Sequence, residues 1–376
     1  MLRFLSPSRF PRPPVIDEHH VMPAVVIRSH GAIDVLEYVE KWSSPKPYND
    51  NSQVLVDIIA AGVNPVDAKM RKNNIANMVY PKPKIIGSDF SGIVINAPIT
   101  SDFKVGDKVY GMLPLLGSPF GSYCGRCCID PAVLAKVPST IPMTDAASLP
   151  LVSCTIIQAF KAVVEDYNGN CKGKRVFISC GSGGVGTIAV QYCAKVLQMN
   201  VTTFASARNF DLLYSLGATT CIDYHTNKIE DSIHDYDVFF DTMGYHNEKL
   251  VFNKKYSILR SDVVTHYIHV ASSPYNSEEK DWLNLSIPEA RLDRVASGFF
   301  KQFYHRIFSN VKYHFVFVVP NKSYLEEMAE HVNNGLIKCV VQEKMSLMDV
   351  RRAHAILEDG HVTGKLVLIV NDELDG

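Results

Sequence analysis

Residues 174–208 read KRVFISCGSGGVGTIAVQYCAKVLQMNVTTFASAR. An apolar run at 176–178 is long enough for one buried strand. It ends in Gly181-Ser182-Gly183-Gly184-Val185-Gly186, which satisfies G-x-G-x-x-G. Ile188, Ala189, Tyr192, Cys193 and Val196 follow at helical spacing, and a β-rich run at 201–204 comes after them. Strand, glycine turn, helix and strand within about 30 residues is the setting that lifts this motif above a chance glycine cluster. The first glycine permits the sharp turn, the second lets bare backbone approach a pyrophosphate, and the third lets helix and strand pack closely. The helix start then turns unpaired N–H groups and a positive dipole end toward phosphate. The competing reading is a glycine turn with no ligand.

An NAD site usually places an acid about 20 residues on, where it holds the ribose 2′-hydroxyl. Here that region is Phe204-Ala205-Ser206-Ala207-Arg208, with no acid before Asp211. Ser206 offers a hydrogen bond and Arg208 a bidentate cation for a 2′-phosphate, which favours NADPH. Arg208 reads equally well, taken alone, as a solvated residue at a helix start.

The bulk composition sets bounds. A chain of 376 residues is long enough for two domains. Its 47% hydrophobic and 20% charged residues fit a globular protein, and a net charge of −1 points to no nucleic-acid partner. No apolar run reaches the roughly 20 residues of a membrane helix. Nine cysteines without regular spacing read as mostly reduced thiols. Residues 1–14, MLRFLSPSRFPRPP, carry three arginines, two serines and no acid. That composition is a transit peptide's, although its prolines weaken a helix. Organellar targeting is the expectation, with a disordered tail on a cytoplasmic protein as the alternative. Residues 1–20 are set outside the fold on either reading.

Further strands are expected at 24–28, at 53–61, where Val54, Val56 and Ile58 share a face, and at 176–180, 201–205, 219–223, 237–241 and 263–270. The first part of the chain is short strands and glycine turns, a barrel-like pattern; the middle alternates strands and helices, as βαβ units require. The order NPVD, GSDFSG, FKVGDKVYG, GSYCG, AASLPLVSCT, GSGGVG and HVTGKLVL resembles the zinc-independent quinone oxidoreductases of the medium-chain dehydrogenase/reductase superfamily. Within it, NCKGKRVFISCGSGGVGT, CIDY at 221–224 and YHFVFVVPNKSYLEEMAEHVNNGLIKCVV are most similar to the mitochondrial reticulon-interacting oxidoreductase group. The resemblance spans about residues 22 to 370.

It implies an α/β protein with a GroES-like β-barrel catalytic domain and a Rossmann domain, a doubly wound parallel sheet that binds the nucleotide. The expected division is 1–20 transit peptide or tail, 21–150 GroES-like domain, 151–315 NADPH-binding domain and 316–376 the return to the catalytic domain. It implies hydride transfer from NADPH to a small-molecule quinone or α,β-unsaturated carbonyl (an enone), in the mitochondrial matrix or at the inner-membrane face. Zinc-binding relatives ligate at the positions of Asn64 and Ser88, neither of them a good zinc ligand, so no metal is expected.

Asn64 and Asp67 match the family's N-P-x-D and are the catalytic candidates: Asn64 as donor to a carbonyl oxygen, Asp67 as proton relay or as the group that orients Asn64. Both also suit plain turn chemistry. For the cofactor the resemblance implies Thr155 on the nicotinamide half, Ser182, Gly183, Gly184, Val185 and Gly186 at the pyrophosphate, and Ser206, Arg208 and Tyr224 around the 2′-phosphate. It implies Thr242, Val316 and Val318 near ribose and nicotinamide, with His361, Val362 and Thr363 closing over the cofactor.

Cys124, Cys127 and Cys128 read as packed thiols, with a redox pair or metal site as the alternative; Gly125 stands where the family has Glu. The aromatic stretch 299–308 reads as a core or homodimer helix, with a membrane-surface helix as the alternative. Two other functions stay open: an enoyl-thioester reductase, and an NADPH-binding scaffold with little turnover.

Overall fold

The computed structural model describes residues 15–48, 52–72, 82–114, 120–243, 245–253, 256, 258–270, 300–305 and 309–371. The segments 1–14, 299 and 306–308, on which parts of the expectations above rest, lie outside these residues.

The barrel part begins with β1 (Val15–Ile27), which pairs antiparallel with β2 (Glu37–Lys46) from Val15↔Lys46 to Val26↔Glu37. Residues 15–20 therefore belong to the fold, which corrects the expected boundary at 20. Residues 15–17 pair with β2 and the pairing resumes at Val21 after a bulge, which a polar composition alone does not reveal. The larger barrel sheet is built on β3 (Val54–Val63), paired antiparallel with β5 (Asp89–Asn96). On β3, Val54, Val56 and Ile58 are buried and Leu55 and Asp57 are less so, the alternation read from the sequence. β4 (Lys84–Ile85) joins β1; β6 (Lys108–Met112), β7 (Arg126–Ile129) and β8 (Leu134–Lys136) complete this part.

The helix Pro150–Asp166 leads into the second part. There β9 (Arg175–Ile178), β10 (Asn200–Ala205), β11 (Thr220–Asp223), β12 (Val238–Asp241), β13 (Thr265–Val270) and β14 (Val311–Val316) form one parallel sheet in the order β11-β10-β9-β12-β13-β14. Val176, Ile178, Ile188, Val201 and Phe240 fill its core. The order reverses between β9 and β12. At such a switch point the adjoining helices go to opposite faces and leave a crevice at the carboxyl ends of the strands. The chain then returns: β15 (Val341–Ser346) and β16 (Lys365–Ile369) join the barrel sheet, β16 pairing antiparallel with β3 from Leu366↔Val63 to Ile369↔Ala60.

Cys124 and Cys127 are buried, and burial pushes the Cys124 and Cys128 thiols up to about 12, as packed rather than reactive thiols. A Cβ on Gly125 would lie 3.0 Å from Met22 Cβ and 3.1 Å from Pro23 Cδ, so a glutamate there would displace β1. In the aromatic stretch, Phe300 and Phe303 are 68% and 64% exposed while His305 packs on Phe252, so the described part is not a core helix.

Between β13, β14 and the end of helix Pro150–Asp166, His266 Nδ1 and His314 Nε2 lie 2.9 Å apart, with Asp166 and Lys312 beside them. Burial first, and then the neighbouring His314, push His266 down to about 3; burial likewise pushes His314 down to about 4. Both rings stay neutral in the fold while the unfolded chain takes up protons near pH 6.5. Stability is therefore expected to fall as pH drops from about 6.5 toward 4, by roughly 1.4 kcal/mol per pH unit for each histidine. Urea unfolding across that window should show a shallower loss in His314→Gln.

Candidate active site

The glycine turn follows β9 directly and lies at the switch point. Gly183 precedes the helix Gly184–Gln191, whose first N–H groups have no partner within the helix. Two of the glycines are required by contact. A Cβ on Gly181 would sit 2.2 Å from Thr203 Oγ1, and one on Gly186 would sit 1.8 Å from the Cys180 carbonyl oxygen. The turn is closed from the other domain: Gly364 N donates to Ser182 O at 2.8 Å, with Gly183 and Gly364 bridged in parallel.

Ser206 follows the end of β10 and Tyr224 the end of β11, and the register Ala205↔Asp223 brings them to the same sheet edge. Arg208 Nη2 reaches His361 O at 3.4 Å, and Thr363 Oγ1 donates to Asn209 Oδ1 at 3.2 Å. Arg208, His361 and Thr363, more than 150 positions apart in sequence, share with Gln342, Ile356 and Asp359 a cavity of about 430 Å³. Asp359 places a carboxylate there, 3.1 Å from His361 Nδ1, with both side chains largely in solvent. Val362 lies between these residues and packs partly on the barrel core.

Thr242 and Val316 sit at the carboxyl ends of β12 and β14, with Val318 just beyond. Thr242 N donates to Ser179 Oγ at 3.0 Å. Asp241 accepts from Ser179 Oγ, Asn247 Nδ2 and Tyr267 OH, and this fixes the turn after β12. Sequence reading passed over Asp241, whose role as a hub exists only once β9, β12 and β13 are side by side. Thr155 is buried and its hydroxyl donates to Leu151 O at 2.7 Å, one turn back in its own helix. Its hydrogen is thus turned away from the expected nicotinamide side, a hydrogen bond that threonine readily makes within a helix.

Asn64 and Asp67 come together in the structure. Asn64 is 1% exposed and Asp67 is 0%. Asn64 Nδ2 donates to Asp89 Oδ2 at 2.8 Å and to Ser88 Oγ at 3.3 Å, while Asn64 Oδ1 accepts from Lys365 Nζ. Both amide hydrogens thus have acceptors within the cluster, a short bond to Asp89 and a longer one to Ser88. Asp67 Oδ2 accepts from Asn64 N at 2.9 Å, the reciprocal half of a capping box on the helix Pro65–Lys72, and from Tyr123 OH at 2.9 Å. Burial pushes Asp67 up to about 7, against the pull of the Asn64 N–H.

The residue that sequence reading missed is Lys365. It is 6% exposed, its Nζ lies 3.6 Å from Asp89 Oδ2, and it also donates to Val63 O at 3.2 Å. Burial pushes Lys365 down and Asp89 up; their mutual attraction, with Asn64 and the Leu151 N–H on Asp89, opposes both shifts. The G-K pair in HVTGKLVL was visible, but nothing local marks a lysine as buried. A Cβ on Gly184 would lie 2.8 Å from Lys365 Cδ, so this one side chain backs the glycine turn and holds the barrel residues.

Two family models match: one described as alcohol dehydrogenase GroES-like domain over residues 50–139, the other as zinc-binding dehydrogenase over residues 216–368. The chain belongs to the medium-chain dehydrogenase/reductase superfamily, as an oxidoreductase with a GroES-like barrel and a Rossmann-type parallel-sheet domain. It is 30% identical to the Homo sapiens protein called NAD(P)H oxidoreductase RTN4IP1, mitochondrial, over 93% of this chain and 89% of that one. It is 34% identical to the NADPH-dependent alkenal/one oxidoreductase, chloroplastic, of Arabidopsis thaliana, over 59% of this chain and 58% of that one. The solved quinone oxidoreductase of Coxiella burnetii superposes with a TM-score of 0.74 at 27% identity, covering 94% of this chain and 100% of that one.

The zinc in the second model's description does not fit the residues here. The set around Asn64 offers an amide, a hydroxyl and a carboxylate already facing the Lys365 ammonium, with neither thiolate nor imidazole. Among the described residues no cluster of His, Cys, Asp or Glu suits a metal ion.

Proposed function

We propose that this protein is an NADPH-dependent reductase of quinones or related α,β-unsaturated carbonyls, working in mitochondria without zinc. The observation that carries the cofactor is the meeting of the switch-point glycine turn with the Arg208–His361–Thr363 cavity across the two domains. The residues fit the group: Ser182, Gly183, Gly184, Val185 and Gly186 would take the pyrophosphate, and Ser206, Arg208 and Tyr224 the adenosine 2′-phosphate. Thr242, Val316 and Val318 would border the ribose and nicotinamide, while His361, Val362 and Thr363 would cover it. Thr155 would contribute through packing.

The reduced nicotinamide, when bound, supplies a hydride. The chain's own part is to hold the acceptor, exclude water and settle the charge that collects on its carbonyl oxygen. The proposed acceptors accord with the relatives named for alkenals, enones and quinones. Steady-state oxidation of NADPH and NADH with a short-chain quinone and an enone tests the reading, and tight NADPH binding without turnover would overturn it in favour of a scaffold.

Arg208→Ala removes one charge-assisted contact, worth about 1.5–3 kcal/mol. It should lower the NADPH-over-NADH preference roughly 10- to 100-fold, read as the ratio of kcat/KM values.

A mitochondrial location accords with the names of the RTN4IP1 relatives. Placement in the matrix or at the inner-membrane face, and association as a homodimer, belong to this proposal and draw on the exposed Phe300 and Phe303. Subfractionation of mitochondria and sedimentation of the purified protein test them.

A further inference from the structure

Beside the buried cluster lies a narrow cavity of about 10 Å³, room for a single oxygen-sized group. Met70, Ile85, Ile86, Pro114 and Phe120 give it apolar walls, and among the described residues Ser88 is the one lining residue with a polar side chain. Among the described residues the contacts of the Ser88 hydroxyl are long, to Asn64 Nδ2 at 3.3 Å and Asp67 Oδ1 at 3.4 Å. Such bonds give way readily to a carbonyl oxygen at ordinary distance. The cofactor turn is close by contact: Gly184 backs onto Lys365, Lys365 holds Asn64, and Asn64 holds Ser88.

We propose that Ser88 is the catalytic residue that gives the reduced substrate its proton, and that Asp67 reloads it. This rests on the reductase reading above. Asp67 Oδ2 is occupied by two donors, Asn64 N and Tyr123 OH, so a proton on Asp67 belongs on Oδ1, the oxygen facing Ser88. With Oδ1 protonated it donates to Ser88 Oγ, and the Ser88 hydrogen is released toward the cavity.

After hydride addition to the acceptor carbon, the displaced electron pair collects on the acceptor's carbonyl oxygen. That oxygen forms an O–H bond as the Ser88 Oγ–H bond breaks. Ser88 Oγ then takes the Asp67 Oδ1 proton, and Asp67 is left as a carboxylate whose Oδ2 already accepts two hydrogen bonds. Water returns a proton to Asp67 before the next turnover. The groups facing Asp67 are Asp89 and Lys365 from β5 and β16 and the Tyr123 hydroxyl before β7; Arg71, on the same helix as Asp67, acts on Tyr123. With Asp67 protonated, Asp89 and Lys365 balance each other.

The test compares wild type with Ser88→Ala, Ser88→Thr and Asp67→Asn. Ser88→Ala should keep the wild-type NADPH affinity and thermal midpoint and lose about 10²- to 10³-fold in kcat with little change in KM. Ser88→Thr should recover part of that loss. Wild-type kcat/KM should fall as pH rises through about 7, where Asp67 is held. Asp67→Asn should be slow and flat across the same range.

A readout apart from turnover is the protonated-carboxyl stretch in infrared difference spectra, expected to titrate in wild type and to vanish in Asp67→Asn. Full kcat in a Ser88→Ala protein that binds NADPH would overturn the proposal, as would a carboxyl band that persists in Asp67→Asn. A wild-type protein that does not bind NADPH would instead overturn the reductase reading, and the proton step with it.

Discussion

Lys365→Met is expected to cost about 3–5 kcal/mol of folding stability, the range for removing one partner of a buried ion pair. The side chain is 6% exposed and its ammonium faces Asp89 at 3.6 Å, so solvent has little access to take its place. Left alone, Asp89 keeps hydrogen bonds from Asn64 and Leu151 but loses the one cation that lies within ion-pair distance of it among the described residues. Its carboxyl would then be held further up than burial already holds it. An acid raised in the fold stabilises at low pH, and that contribution is lost as pH rises through the folded value. The deficit of Lys365→Met should therefore be larger at alkaline than at acidic pH.

Urea unfolding of Lys365→Met, Asp89→Asn and the double variant closes a cycle. The double variant should lose less than the sum of the singles, with a coupling of about 1–3 kcal/mol. Additive losses would mean that the pair is not an energetic unit. NADPH affinity should fall as well, because the aliphatic stem of Lys365 lies against Gly184.

Gly186→Val should abolish useful cofactor binding. Its Cβ would lie 1.8 Å from Cys180 O and 2.8 Å from both Cys180 C and Gly181 C, all of them backbone atoms. A side chain at such a place cannot rotate away, and the helix Gly184–Gln191 must shift off β9. Overpacking strain of this kind is about 3 kcal/mol or more. The free protein relieves it by moving the turn, and binding must restore the turn against that strain. At about 1.4 kcal/mol per tenfold, NADPH affinity should fall roughly 100-fold, read by fluorescence titration. Unchanged affinity would mean that the third glycine is not a packing requirement here.

The legible parts of this molecule were those set by local spacing. The glycine turn after β9 and the alternation along β3 each depend on residues within a few positions. The motif order added the two-domain architecture and a set of cofactor positions. Of these, Arg208, His361 and Thr363 do meet in one cavity. The start of β1 was misjudged because the partner of residues 15–17 is β2, more than 20 positions away.

The sequence by itself determined the switch-point turn, the class of nucleotide it suits and the family to which the chain belongs. Only the tertiary structure decided what Asn64 does. Its amide is saturated by Asp89, Ser88 and Lys365, residues from β5, the turn before it and β16 that sequence separates by 24 to 301 positions. Burial is a property of the packed whole: a lysine and two aspartates read as surface charges until β3, β5 and β16 enclose them. Desolvation then turns them into a paired cluster, with the buried Ser88 between it and the narrow cavity.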